Sequence, residues 1–183
     1  MEQVPTAEAG DWAEPTPRAS RVAHVGFESF YVAEFPGLIA LARGLCGSAS
    51  SEDIAQEAML VVYRRWDEVV RFDDPQAWAR RACANLAISA FRRRLVELRA
   101  LPRLLANRPP DRTLDEDSEA FWTAVRSLPR RQAQCIALRY LYEMGGAEIA
   151  RTLGVSDNSV KKHLARGRRA LAARLGADEE DQP

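Results

Sequence analysis

A chain of 183 residues that is 46% hydrophobic and 28% charged has room for one or two small globular domains, each with a modest core of its own. Acidic and basic side chains number 26 each, so any polyanion-binding surface must come from segregation of charge rather than from an overall excess. Cys46, Cys83 and Cys135 lie far apart and the histidines are His24 and His163, which excludes a zinc, redox or disulfide framework; no metal and no cofactor is expected. The cysteines read as small core residues in a reducing compartment.

Residues 1–21 carry Glu2, Glu8, Asp11 and Glu14 with Pro5, Pro15 and Pro17, and form a mobile acidic extension without the apolar heart of a signal peptide. No apolar run is long enough to span a bilayer, so a cytoplasmic chain with no membrane contact is expected. Phe27, Phe30, Tyr31, Leu38, Leu41, Ala42 and Leu45 then recur at helical spacing. Pro36 and Gly37 are expected to interrupt or bend that helix, and Gly44 and Gly47 lie near its end.

A second helix is predicted over 51–66. Ser50 and Asp53 fit a capping box, and Glu52, Asp53 and Glu57 place negative charge near the positive end of the helix dipole. Asp53, Gln56, Glu57 and Leu60 fall at i, i+3, i+4 and i+7 and share one face. The stretch 58–63 is apolar on every side and should be buried. Taken alone, these features describe a capped, solvated helix as well as one that docks on a partner.

Asp73, Asp74 and Pro75 make a turn and helix start, and Trp78, Ala82, Leu86 and Phe91 mark a third helix that runs into Arg92, Arg93 and Arg94. Pro102, Pro109 and Pro110 among charges make 101–117 a linker. Helical periodicity resumes over 121–128, 130–142, 147–153 and 157–175, before an acidic tail over 176–183. Without any period-two stretch, the expected fold is all-α: two small helical bundles, 22–100 and 118–175, joined by a flexible linker, the second containing a helix-turn-helix.

The helix-turn-helix is carried by GAEIARTLGVSDNSV over 146–160. Ala150 is small where two helices cross, Gly154 permits the tight turn, and Val160 anchors the second helix against Ile149 and Leu153. Ser156 caps that helix and leaves Asp157, Asn158, Ser159, Lys161 and Lys162 near its N-terminal end, where such helices meet base edges. Both lysines of the chain lie here, and Arg166, Arg168 and Arg169 follow as candidates for phosphate contacts. The first bundle has its own basic block, in which Trp78, Arg80, Arg81, Asn85, Arg92, Arg93 and Arg94 combine aromatic, amide and guanidinium groups on or beside one helix. Stacking of an unpaired base on an aromatic face contributes roughly 1 to 3 kcal/mol. A lone tryptophan at helical spacing fits a core position as readily.

In this order the segments EDIAQEAMLVVYRRW, DPQAWARRACANLAISAFRRR and LPRRQAQCIALRYLYEMGGAEIARTLGVSDNSVKKHLARGRRAL resemble an RNA polymerase sigma factor of the extracytoplasmic-function group. The resemblance implies region two over 22–100 and region four over 118–175, with core RNA polymerase and promoter DNA as partners, an anti-sigma factor left open as a third, and no enzymatic activity. It implies that Asp53, Gln56 and Glu57 face the clamp helices of the largest polymerase subunit. Phe72, Trp78, Arg81, Asn85, Arg92 and Arg93 would serve the −10 element, and Asp157, Asn158, Ser159, Lys161, Lys162 and Arg166 the −35 element. The chain departs from the family at Gly145 and Gly146, where a polar cap and a larger residue are usual, and at Ser89, where many members carry aspartate. Its loop over 71–75 is also short. A stand-alone regulator of the LuxR type is the alternative, because SVKKHL resembles its recognition helix, but the first half shows no alternating strands or phosphoacceptor layout.

Overall fold

The structure, a computed structural model, describes residues 26–100 and 116–176, and the side chains of 26–97 and 118–176. The expected extension over 1–21, most of the linker over 101–117 and the tail beyond 176 lie outside the described residues. Every regular element among them is helical: α1 (Phe27–Cys46), a 3-10 turn (Ser48–Ser50), α2 (Ser51–Arg64), α3 (Trp66–Val69), α4 (Pro75–Ala100), α5 (Glu116–Arg126), α6 (Arg130–Leu141), α7 (Gly146–Leu153) and α8 (Asp157–Leu175). None is long and apolar enough to cross a membrane.

Three local expectations are corrected. α1 runs unbroken through Pro36. Proline there withholds a donor from the carbonyl of Val32, but Val32 is 73% exposed, so water can satisfy that carbonyl while buried Leu38, Leu41 and Leu45 hold the second half in place. Ser50 does not cap α2, because its backbone (φ −131°, ψ 7°) is outside the extended region a capping residue adopts; the Ser51 hydroxyl instead donates to the Ser48 carbonyl at 2.9 Å. Within 58–63, Leu60 and Tyr63 are exposed rather than buried.

Elsewhere the turn chemistry is as the sequence dictates. The Asp74 carboxylate accepts from the Ala77 N–H at 2.8 Å, with Pro75 as the first helical residue of α4. Trp66, on α3, packs its ring 5.1 Å from Phe30 and 5.5 Å from Phe27, which fastens that short helix to the start of α1.

α1 is the central strut. α2 and α4 pack on it from the first half, and α5 and α6 from the second; α8 closes over α5, α6 and α7, and α4 also meets α7. The apolar core is consequently continuous, from Leu38, Leu41 and Met59 in the first half to Ile136, Leu138, Ile149 and Leu153 in the second. Two helical parts are present, and they lie against each other.

Candidate nucleic-acid and partner interfaces

α2 is sharply two-sided. Ile54, Ala55, Ala58, Met59 and Val62 are buried, which turns Asp53, Gln56, Glu57 and Leu60 outward together. Tyr63 extends this face: it is 60% exposed, with its ring edge against Phe27 at 4.9 Å. An acidic, amide-bearing strip with apolar side chains at one end, standing clear of the fold, suits a basic and partly apolar partner surface.

The second candidate surface, on α4, is largely covered. Phe72 and Trp78 are buried, with ring centroids 6.3 Å apart, and the Arg65 guanidinium lies 5.6 Å over the Trp78 ring. Arg81 is 8% exposed. Asn85, one turn further on, is half-buried, and its side-chain oxygen accepts from Arg130 at 2.5 Å and from Gln134 at 2.8 Å, both on α6. Burial lowers the pKa of Arg130, and neighbouring Arg131 and Arg92 lower it further. Arg92 and Arg93 remain exposed.

The third surface is built by α7 and α8. Ile149, Leu153 and Val160 are buried together, and Gly154 takes the left-handed conformation (φ 64°, ψ 44°) that a residue with a side chain adopts only under strain. Ser156 caps α8, accepting from the Ser159 N–H at 3.2 Å, with the two hydroxyls 2.9 Å apart. Asp157, Asn158, Lys161, Lys162 and Arg166 are exposed along one side, continued by Arg168 and Arg169. At the start of α7 the missing polar cap is offset by Glu148, whose carboxylate accepts from the Gly145 N–H at 2.6 Å. Behind this surface, burial, then Arg131 and Arg166, push the His163 pKa down.

Two aromatic residues outside the expected sites pack closely on α1. Tyr142 lies with its ring 4.6 Å beneath the Arg80 guanidinium and its hydroxyl where a Cβ on Gly37 would come within 2.9 Å. Trp122 fills the equivalent space over Gly44, where a Cβ would be 2.9 Å from its ring. Gly37 and Gly44 are seven residues apart on α1, a spacing whose signal in the sequence is hidden because either glycine also reads as a helix breaker.

Comparison with known proteins places family boundaries on this geometry. The Sigma-70 region 2 family model matches residues 30–95, and that for Sigma-70, region 4 matches 118–171. The chain is 32% identical over 140 residues to the ECF RNA polymerase sigma factor BldN of Streptomyces coelicolor, an alignment covering 72% of this chain and 53% of that protein. It therefore spans about half the length of that relative. It is 30% identical over 132 residues to the ECF RNA polymerase sigma factor SigF of Caulobacter vibrioides, covering 68% of this chain and 70% of the relative. In fold it is similar to the sigma factor RpoE in complex with the anti-sigma factor NepR from Bartonella quintana, with a TM-score of 0.64 and 21% identity over 83% of this chain and 98% of that one.

Proposed function

Because the chain belongs to the extracytoplasmic-function group of the sigma-70 family, we propose that it is a dissociable promoter-specificity subunit of RNA polymerase, cytoplasmic and without a catalytic role of its own. The observation that carries this reading is the outward helix face of α8. Asp157, Asn158, Lys161, Lys162 and Arg166 project from a helix-turn-helix whose apolar side is shut in the core, in the chain order that follows a region 2 match.

Residues 22–100 act as region two and 118–175 as region four, with 101–117 as the tether. Asp53, Gln56 and Glu57 contact the polymerase clamp helices. Region four positions the complex on the −35 duplex, with Asp157, Asn158, Ser159 and Lys161 toward base edges and Lys162 and Arg166 toward phosphates. Region two holds the non-template strand of the −10 element. Asn85 both donates to and accepts from an unstacked base, Arg81, Arg92 and Arg93 neutralise its phosphates, and Phe72 and Trp78 form the apolar wall behind it. Unstacking one base costs a few kcal/mol, which contacts of this kind offset. An anti-sigma factor is a further partner that this reading accommodates. The LuxR-type alternative loses its footing because the first half matches region 2 rather than a sensory domain.

The test is reconstitution. Purified chain added to core polymerase should give transcripts with discrete start sites on genomic DNA that core polymerase alone does not give. Failure to confer any specific start would overturn the proposal.

A further inference from the structure

Where α1 meets α5 and α6 there is a cavity of about 310 Å³ that none of the three candidate interfaces uses. Its walls are Pro36, Ile39 and Ala40 of α1, Trp122 of α5 and Leu141 of α6. Ile39, Trp122 and Leu141 are each half-buried, so all three leave part of their apolar surface on the cavity.

Among the described residues, Arg43 is the one charged side chain in this lining. Its Nε is shut off from solvent and has no hydrogen-bond partner among those residues, although a guanidinium N–H is a strong donor. Glu119, on the facing α5, does not answer it, because that carboxylate pairs with Arg126. Arg126 in turn donates to the Arg43 carbonyl at 3.4 Å, which brings a second positive charge to this end of α1. A place in the last turn of α1 suits a cation, since the helix dipole is negative there. The dipole explains the charge, but not a donor shut away from water beside an apolar cavity; buried donors are costly to leave unmade and native structures keep few of them.

We propose that this cavity is a binding site for a small apolar acid, whose carboxylate accepts from Arg43 while its hydrocarbon part lies between Pro36, Ile39, Trp122 and Leu141. Apolar walls with a single well-placed polar group are the usual make-up of a ligand pocket, and this one lies at the small end of their size range. A sphere of 310 Å³ is about 8 Å across, narrower than the roughly 10–12 Å of a helix with its side chains, so a small molecule enters whole but a helical peptide does not. The two arginines exclude a cation. A bare inorganic anion would gain nothing from the apolar walls.

Isothermal titration calorimetry on the full chain at neutral pH compares octanoate with octanol and octylamine, which keep the hydrocarbon and replace the negative charge by none or by a positive one. Octanoate should bind at one site and at least about tenfold more tightly than either, the difference a charge-assisted hydrogen bond to an otherwise unmatched donor makes. The melting temperature should rise with octanoate concentration, because the ligand binds only where α1, α5 and α6 are packed together. Arg43→Met keeps much of the side chain's bulk and the backbone carbonyl that Arg126 uses, and should lower octanoate affinity to that of octanol. Ala40→Phe adds a ring at the cavity wall from an exposed position on α1, and should abolish octanoate binding with Arg43 intact. It carries the test if Arg43→Met loses helix by circular dichroism.

No octanoate binding to the native chain, equal binding of the three compounds, or native octanoate affinity in either folded variant would each overturn the proposal.

Discussion

Cys46 and Cys135 have pKa values pushed up to about 11, because burial disfavours the thiolate more than nearby arginines favour it, and burial raises Cys83 further. At pH 7.5 a pKa near 11 leaves roughly a few thiolates in ten thousand, against about a tenth for a free cysteine. Native protein should therefore react with a chromogenic disulfide reagent at least about a hundredfold more slowly than protein in denaturant, where all three cysteines should label at once. Fast labelling of one native thiol would place it outside the core. Such core positions were readable from cysteines that lie far apart and lack the close pairing of a metal or redox motif. Trp78 and Asn85 were not, because the same residue type serves a core or a base-binding surface; only the tertiary neighbours, Phe72 for the one and Arg130 with Gln134 for the other, tell which.

At the scale of the element, α8 makes the strongest link between pattern and surface. Ser156, Gly154, Val160 and the basic run fix its start, its turn, its buried side and its exposed side from local chemistry alone. Replacing Lys161 and Lys162 with alanine removes charges without touching the apolar anchors. If each lysine meets a phosphate or a base edge, duplex affinity should fall and the slope of log affinity against log salt should flatten by up to about two units. A titration of native and variant chains between low and moderate salt reads both, and an unchanged slope would remove the lysines from the contact. Ser156→Ala should instead lower stability by about 1 kcal/mol in a chemical denaturation series, since the cap's acceptor for Ser159 is lost. α1 was the least legible helix, because a proline and a following glycine carry the same local signal whether they end a helix or lie in one supported along its length by packing.

At the scale of the whole molecule, periodicity told which residues are apolar but not which helix each would meet. It anticipated two helical parts and their order, and it left no trace of α1 serving both, since Gly37 and Gly44 meet Tyr142 and Trp122 from far along the sequence. The face of α2 is the complementary case, a surface defined by what the rest of the molecule leaves uncovered. Asp53 and Glu57 are exposed, so reversing both to arginine should leave helix content and compactness intact; losing Asp53 from the first turn costs at most about 1 kcal/mol of dipole stabilisation. If this face meets polymerase, the reversal turns attraction into like-charge repulsion, which across an interface amounts to several kcal/mol. Gel filtration with core polymerase should then show no co-elution of the doubly reversed chain. The same chain, tested alone, should keep native duplex affinity, because α8 lies elsewhere on the surface. A variant that co-elutes normally would mean that the acidic strip faces water in the assembled enzyme, and that docking is carried by another surface.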